Sequence, residues 1–156
     1  MRAGDRVADF TLADQAGVPR SLSELLRQGP VVLFFYPAAL TKGCTAESCH
    51  FRDLLGEFGE VGAQAVGISA DPVERQHQFD QRYDLGMPLL SDPSREVAQR
   101  FGVRRRFGPI PVKRSTFVIG QDGLLLAVVH SETRMALHAD RALEILRKRQ
   151  GESGSG

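Results

Sequence analysis

Along the chain, unbroken apolar stretches alternate with segments whose apolar positions recur every three or four residues. "VVLFFY" (31–36) is a continuous apolar run rich in β-formers and predicts a buried central strand. "AQAVGISAD" (63–71) reads as the next buried strand, and "MPLLSD" (87–92) as a short one. "STFVIGQDGLLLAVVH" (115–130) reads as a hairpin turning at Gln121-Asp122-Gly123. Ahead of them, "ADFTLADQAGVPRSL" (8–22) carries two short strands with a turn at Gly17. The helical period appears between these runs. Ser21 and Glu24 form a capping box that opens a short helix, closed by Gly29. Phe51, Leu54, Leu55 and Phe58 fall at i, i+3, i+4 and i+7, the apolar stripe of a single helix. Asp71 caps the next helix, with Pro72 at its first position and Glu74 at its third. "SREVAQRFG" (94–102) is a helix stopped by Gly102. Leu137, Ala139, Ala142, Leu143 and Leu146 mark one side of a last helix.

Strand and helix alternate, then a hairpin follows, then a closing helix. Alternation implies parallel strands covered by helices on both faces, and the hairpin adds an antiparallel edge. The expected fold class is α/β, a central mixed β-sheet flanked by helices. This order is similar to a thioredoxin-like fold, a likeness that by itself assigns no function. No repeat or long linker interrupts the chain. One domain is expected over 1–150, with the small, polar "GESGSG" (151–156) as a disordered tail.

Apolar residues make up 42% of the chain and charged residues 25%, an ordinary globular balance. A net charge of +1 gives no global argument for a nucleic-acid or anionic-membrane partner. The longest apolar run is too short to span a bilayer. "MRAGDRVADF" lacks the apolar core of a secretory signal, so the expected location is cytoplasmic. Thiols are kept reduced there, and the two cysteines are then reactive, metal-binding or inert rather than a permanent staple.

Both cysteines lie in "FFYPAALTKGCTAESCH" (34–50), five positions apart. Cys44 is seven residues before Phe51 and so falls on the inward stripe. Cys49, two residues before Phe51, lies about 160° around the helix. On a helix their Cα atoms would be about 8.5 Å apart, beyond the roughly 7 Å that a disulfide tolerates. If these thiols pair, the first turn must unwind. Cys44 also sits near a helix N-terminus, after Gly43, where unpaired amides favour a thiolate. Thr41 offers a hydroxyl three residues earlier, Pro37 can shield the site from water, and no acidic residue separates Pro37 from Cys44. A cysteine on an apolar stripe is often only packing. Its place at a helix start, with a second cysteine nearby, favours chemistry. A metal site at Cys44, Cys49 and His50 falls short of the four ligands of structural zinc, and His77, His130 and His138 lie in unrelated segments.

At these residues the sequence resembles the peroxiredoxins. Pro37, Thr41 and Cys44 match their PxxxTxxC motif. The Cys44-Thr45-Ala46-Glu47-Ser48-Cys49 stretch, followed by "HFRD", is similar to the Q-type group, also called bacterioferritin comigratory proteins. The likeness runs from "GDRVADFTL" to "PVKRSTFVIG". It implies a thiol peroxidase on a thioredoxin-like fold, without metal or organic cofactor. By resemblance, Cys44 is the peroxidatic cysteine, Thr41 orients the peroxide and Pro37 shields the site. Arg114 stabilises the thiolate and polarises the peroxide. Cys49 is the resolving cysteine, which forms an intramolecular disulfide with Cys44. The implied partners are a peroxide substrate and thioredoxin or a similar dithiol reductant, with no nucleic acid and no membrane. Q-type members are often monomeric; a dimer stays open. Ala38 and Ala39 depart from the usual polar pair such as "KD", and Gly120 stands where "FVID" is common.

"RRRFGPIPVKR" (104–114) reads as a solvated loop that turns one arginine into the site, in preference to a phosphate-binding patch. Its single aromatic, Phe107, is too little for a nucleic-acid platform. His50 reads as incidental, and Phe34, Phe35, Phe51 and Phe58 as core. A redox sensor signalling through the unwound helix and a non-enzymatic thioredoxin-like binding module remain as other classes. Thr41 with Arg114 favours the enzyme, because a passive module has no use for a polarising pair.

Overall fold

Val31–Phe35 is the middle of a five-stranded sheet. The computed structural model describes residues 1–154, with side chains through Gly151. In chain order the elements are β1 (Thr11–Ala13), β2 (Pro19–Ser21), α1 (Leu22–Leu26), β3 (Val31–Phe35), α2 (Lys42–Asp53) and α3 (Leu55–Glu60). There follow β4 (Gln64–Ser69), α4 (Val73–Tyr83), β5 (Leu89–Ser91), α5 (Glu96–Arg100), β6 (Ser115–Ile119), β7 (Leu125–His130) and α6 (Met135–Gly154). The sheet order is β5-β4-β3-β6-β7. β3, β4 and β5 run parallel, while β6 and β7 form the antiparallel half. β1 and β2 pair separately. The mixed sheet with flanking helices is the expected architecture.

The unbroken apolar character of β3 follows from burial on both faces. Val31, Leu33 and Phe35 join one core with Leu22 and Leu25 of α1 and Val97 and Ala98 of α5. Val32 and Phe34 join the opposite core with Phe51, Phe58, Phe79 and Leu143 from α2, α3, α4 and α6. Phe51 stacks on Phe34 at 4.1 Å between ring centroids, and Phe58 lies 5.9 Å beyond it. The second core therefore fastens α2 to the sheet through its C-terminal end.

Three local expectations are corrected. The stripe from Phe51 to Phe58 is two helices, not one. Leu54 leaves helical geometry (φ −100°, ψ 5°), and its N–H is shared between the carbonyls of His50 and Phe51. Gly56 and Gly59, poor helix formers, occupy the short second helix. Asp71 does not cap α4: the capping position is Pro72, with no side-chain bond to the helix. The Asp71 carboxylate is engaged elsewhere, as described below. Finally, α6 continues to Gly154 through part of the segment expected to be a disordered tail; residues 155–156 lie outside the described range. No helix of the described residues is long and apolar enough to cross a membrane.

Candidate active site

The register of β3 against β6 decides which distant residues meet. Phe35 pairs with Ser115, so the chain leaving β3 toward α2 lies beside the residue entering β6, which is Arg114. Gly43 gives that side chain room. A Cβ there would lie 3.3 Å from Arg114 Nη2 and 3.2 Å from Met135 Cε, tighter than ordinary contact. Arg114 is buried, as is Cys44, which is 1% exposed. Arg114 Nη2 donates to Cys44 Sγ at 3.3 Å, and Nη1 donates to Glu47 Oε1 at 2.7 Å. Burial works against the Arg114 charge, but Glu47 and Cys44 more than offset it and hold its pKa above the ordinary value. Thr41 is the N-cap of α2. Its hydroxyl donates to Ala38 O at 2.7 Å, and its own carbonyl accepts from Thr45 N at 2.8 Å. Pro37 is half-buried at the start of the loop.

A buried thiol held by a guanidinium, one turn into a helix whose first residue follows a threonine, is an arrangement with known relatives. The sequence matches the AhpC/TSA family over residues 3–128. This chain belongs to the peroxiredoxins. A peroxiredoxin of Mycobacterium tuberculosis is 58% identical over 149 residues, covering 94% of this chain and 97% of the relative. The chloroplastic peroxiredoxin Q of Sedum lineare is 40% identical over 144 residues, covering 92% and 76%. Among solved structures, the peroxidoxin BcpB of M. tuberculosis superposes with a TM-score of 0.92 at 57% identity, covering 95% of this chain and 97% of that one. The bacterioferritin comigratory protein of Xanthomonas campestris, studied for alkyl peroxide reduction, gives 0.82 at 28% identity, covering 90% and 91%. The chain is a thiol peroxidase with the fold of the Q-type group.

In this peroxiredoxin the loop before Cys44 is tied down from behind. Ala39 N donates to Asp71 Oδ2 at 2.7 Å. Ser69 Oγ donates to the same oxygen at 2.7 Å and accepts from Gln76 Nε2 at 2.9 Å. Gln76 Oε1 accepts from the buried Tyr36 hydroxyl. Leu40, next to Ala39, is held at φ 66°, a conformation that L-residues adopt at a cost.

Behind Arg114 the polar chain continues. Glu47 is fully buried, and burial pushes its carboxyl up to about 7 against the pull of Arg114. Among the described residues its Oε2 has no hydrogen-bond partner, and it lies 3.5 Å from His138 Nε2. His138 Nε2 also faces Ser131 O at 2.8 Å, and Nδ1 faces Thr116 Oγ1 at 2.8 Å. A carbonyl only accepts, so Nε2 carries the proton and Nδ1 accepts from Thr116. Burial lowers the His138 pKa, which keeps the ring neutral.

Cys49 is half-buried at the edge of the core that holds Cys44, and both thiols are free. His50 bonds Asp140 at 2.7 Å, a tie between α2 and α6. The structure thus joins Cys44 to Arg114 directly, places Thr41 and Pro37 on the loop leading to them, and sets Cys49 further along the same helix. Glu47, His138 and Asp71 were not among the expected site residues. Glu47 had a signal: it lies three residues after Cys44 and four before Phe51, on the apolar stripe itself.

Proposed function

We propose that this peroxiredoxin reduces hydrogen peroxide and organic hydroperoxides in the cytoplasm through Cys44, resolves the product with Cys49, and is recycled by thioredoxin or a similar dithiol. The observation that carries this reading is the 3.3 Å bond from Arg114 Nη2 to Cys44 Sγ. A cation on the sulfur favours the thiolate, which is the nucleophile. Thr41 has spent its hydrogen on Ala38 O and meets a ligand as an acceptor, which suits a peroxide O–H. Arg114 meets the peroxide as a donor, and its charge stabilises the leaving oxygen as the O–O bond stretches. Cys44 takes one oxygen and becomes a sulfenic acid. The other oxygen leaves as hydroxide or alkoxide and takes up a proton to give water or alcohol. Pro37 limits access of bulk water. Cys49 then condenses with the sulfenic acid, releasing water, and the dithiol reduces the resulting disulfide by exchange. Alkyl peroxide reduction by the Xanthomonas relative supports the organic substrates.

Cys49→Ser tests the sequence of steps. The variant is expected to consume one equivalent of peroxide and stall as a sulfenic acid, trapped by a dimedone-type probe. Wild type under the same pulse should give an intramolecular Cys44–Cys49 disulfide by mass spectrometry. Amide exchange should then rise across Thr41–Phe51, because the intact helix holds the two Cα atoms too far apart. Sustained thioredoxin-driven turnover by Cys49→Ser would remove Cys49 from the mechanism; a Cys44→Ser variant that still reduces peroxide would remove Cys44.

A further inference from the structure

Peroxide chemistry uses one basic residue of the 104–114 segment, and the others have a different setting. Arg95, Gln99, Gly102, Arg104, Arg105 and Arg106 line a cavity of about 520 Å³. That is within the roughly 300–1,000 Å³ of small-molecule sites, but the wall is polar rather than apolar. Four of these six lining residues are arginines, and none of the six is acidic. Arg105 Nη2 pairs with Glu132 Oε1 at 3.0 Å. Arg104 Nη1 donates to the neutral Gln99 Oε1 at 3.1 Å, and Arg95 Nη1 reaches only the Arg105 carbonyl at 3.5 Å. Arg105 Nε is buried without a hydrogen-bond partner among the described residues. Arg95 is held at φ 59°, a left-handed backbone that a glycine would adopt more easily. Like charges gathered in this way repel one another until an anion joins them.

We propose that this cavity binds a small anion carrying two or more linked phosphate groups. The planar guanidinium fork matches phosphate oxygens in pairs. Several forks around one cavity favour a multivalent anion over a monovalent one. The net charge of +1 and the lone exposed aromatic, Phe107, argue for a small ligand rather than a nucleic-acid strand. The site also has a line to the peroxidase centre. Glu132 Oε1, the partner of Arg105, accepts from Arg114 N at 3.1 Å as well. An anion that competes for Arg105 is therefore felt at the backbone of the arginine that holds Cys44. The proposal does not depend on how Cys44 is resolved or on which dithiol recycles it.

The test is calorimetric titration of the reduced full-length protein with inorganic triphosphate at physiological salt. One saturable site is expected, at least tenfold tighter for triphosphate than for sulfate, with a shift of the Arg114 amide resonance on binding. The pair R104Q/R106Q should weaken binding at least tenfold and leave peroxide turnover unchanged. The control pair R141Q/R149Q, in a separate basic groove with Lys148, should bind as wild type does. Should R104Q/R106Q fail to fold, Arg95→Gly serves in its place and should weaken binding with no loss of Tm. No saturable binding, equal affinity for sulfate, or equal loss in the control pair would each reduce the cavity to diffuse charge attraction and overturn the proposal.

Discussion

Asp71 bonds Ala39 N, thirty-two positions away in the chain, and so sets where the loop carrying Thr41 begins. Asp71→Ala would leave a buried amide without its acceptor, at a cost of about 1–3 kcal/mol, and would free Leu40 to leave its left-handed conformation. Arg114 and Cys44 are untouched by that change. The expected result is a peroxide oxidation rate lower by about ten- to a hundredfold, because small displacements of positioning groups are costly. The pH midpoint of Cys44 alkylation should not move. Asp71→Asn keeps an oxygen acceptor and should recover most of the rate. If the midpoint moves together with the rate, Asp71 acts on the Cys44 thiolate itself and not by placing the loop. The sequence suggested a helix cap because aspartate before proline is a strong local signal. The competing acceptor role depends on a contact between β4's end and a loop far upstream, which no local pattern carries. Cys44, by contrast, was legible from spacing, and Arg114 from the family motif.

At the scale of elements, α2 is fastened unevenly. Its C-terminal end is stacked on Phe34 through Phe51, tied to α6 by His50–Asp140, and bound to Tyr83 O by Arg52 at 2.6 Å. Its N-terminal half packs Cys44 into the same core and bonds Arg114 through Cys44 and Glu47. Phe51→Ala should destabilise the protein by about 3–5 kcal/mol in denaturant unfolding; Phe51→Leu should cost clearly less, since it leaves a smaller cavity. The strands were readable because two-sided burial writes itself as continuous apolar runs. The break at Leu54 was not, because Leu54 and Leu55 keep the helical period of apolar residues while the backbone departs from it.

Over the whole molecule, Glu47 and His138 give stability opposing pH dependences. The Glu47 carboxyl is raised from 4.5 to about 7 in the folded protein. The folded state therefore holds the proton more tightly, and this contribution to stability is lost as pH rises from about 4.5 to 7. His138 is lowered, so its contribution is lost as pH falls through the ordinary histidine range. Glu47→Gln removes the first dependence and keeps an oxygen for Arg114. The difference in Tm between Glu47→Gln and wild type should grow in favour of the variant between pH 4.5 and 7, then level off. A pH-independent difference in thermal scans would show that Glu47 does not titrate in this window. This polar chain lay beyond sequence reading in part: Glu47 fell on the apolar stripe, but its link to His138 crosses from α2 to α6.

The Phe34–Phe51 stack also divides length and time. If α2 opens from Lys42 and stops at the stack, the freed chain, at about 3.4 Å per extended residue, is several times longer than the roughly 5.5 Å between Cα atoms in a disulfide. Reach is then no obstacle, and closure of so short a loop takes on the order of 100 ns or less. On the proposed resolution by Cys49, the lifetime of the oxidised thiol is set instead by how often the helix opens. Overoxidation becomes a race between two clocks, helix opening and the arrival of a second peroxide, and any change that stiffens the first turns of α2 hands time to the peroxide.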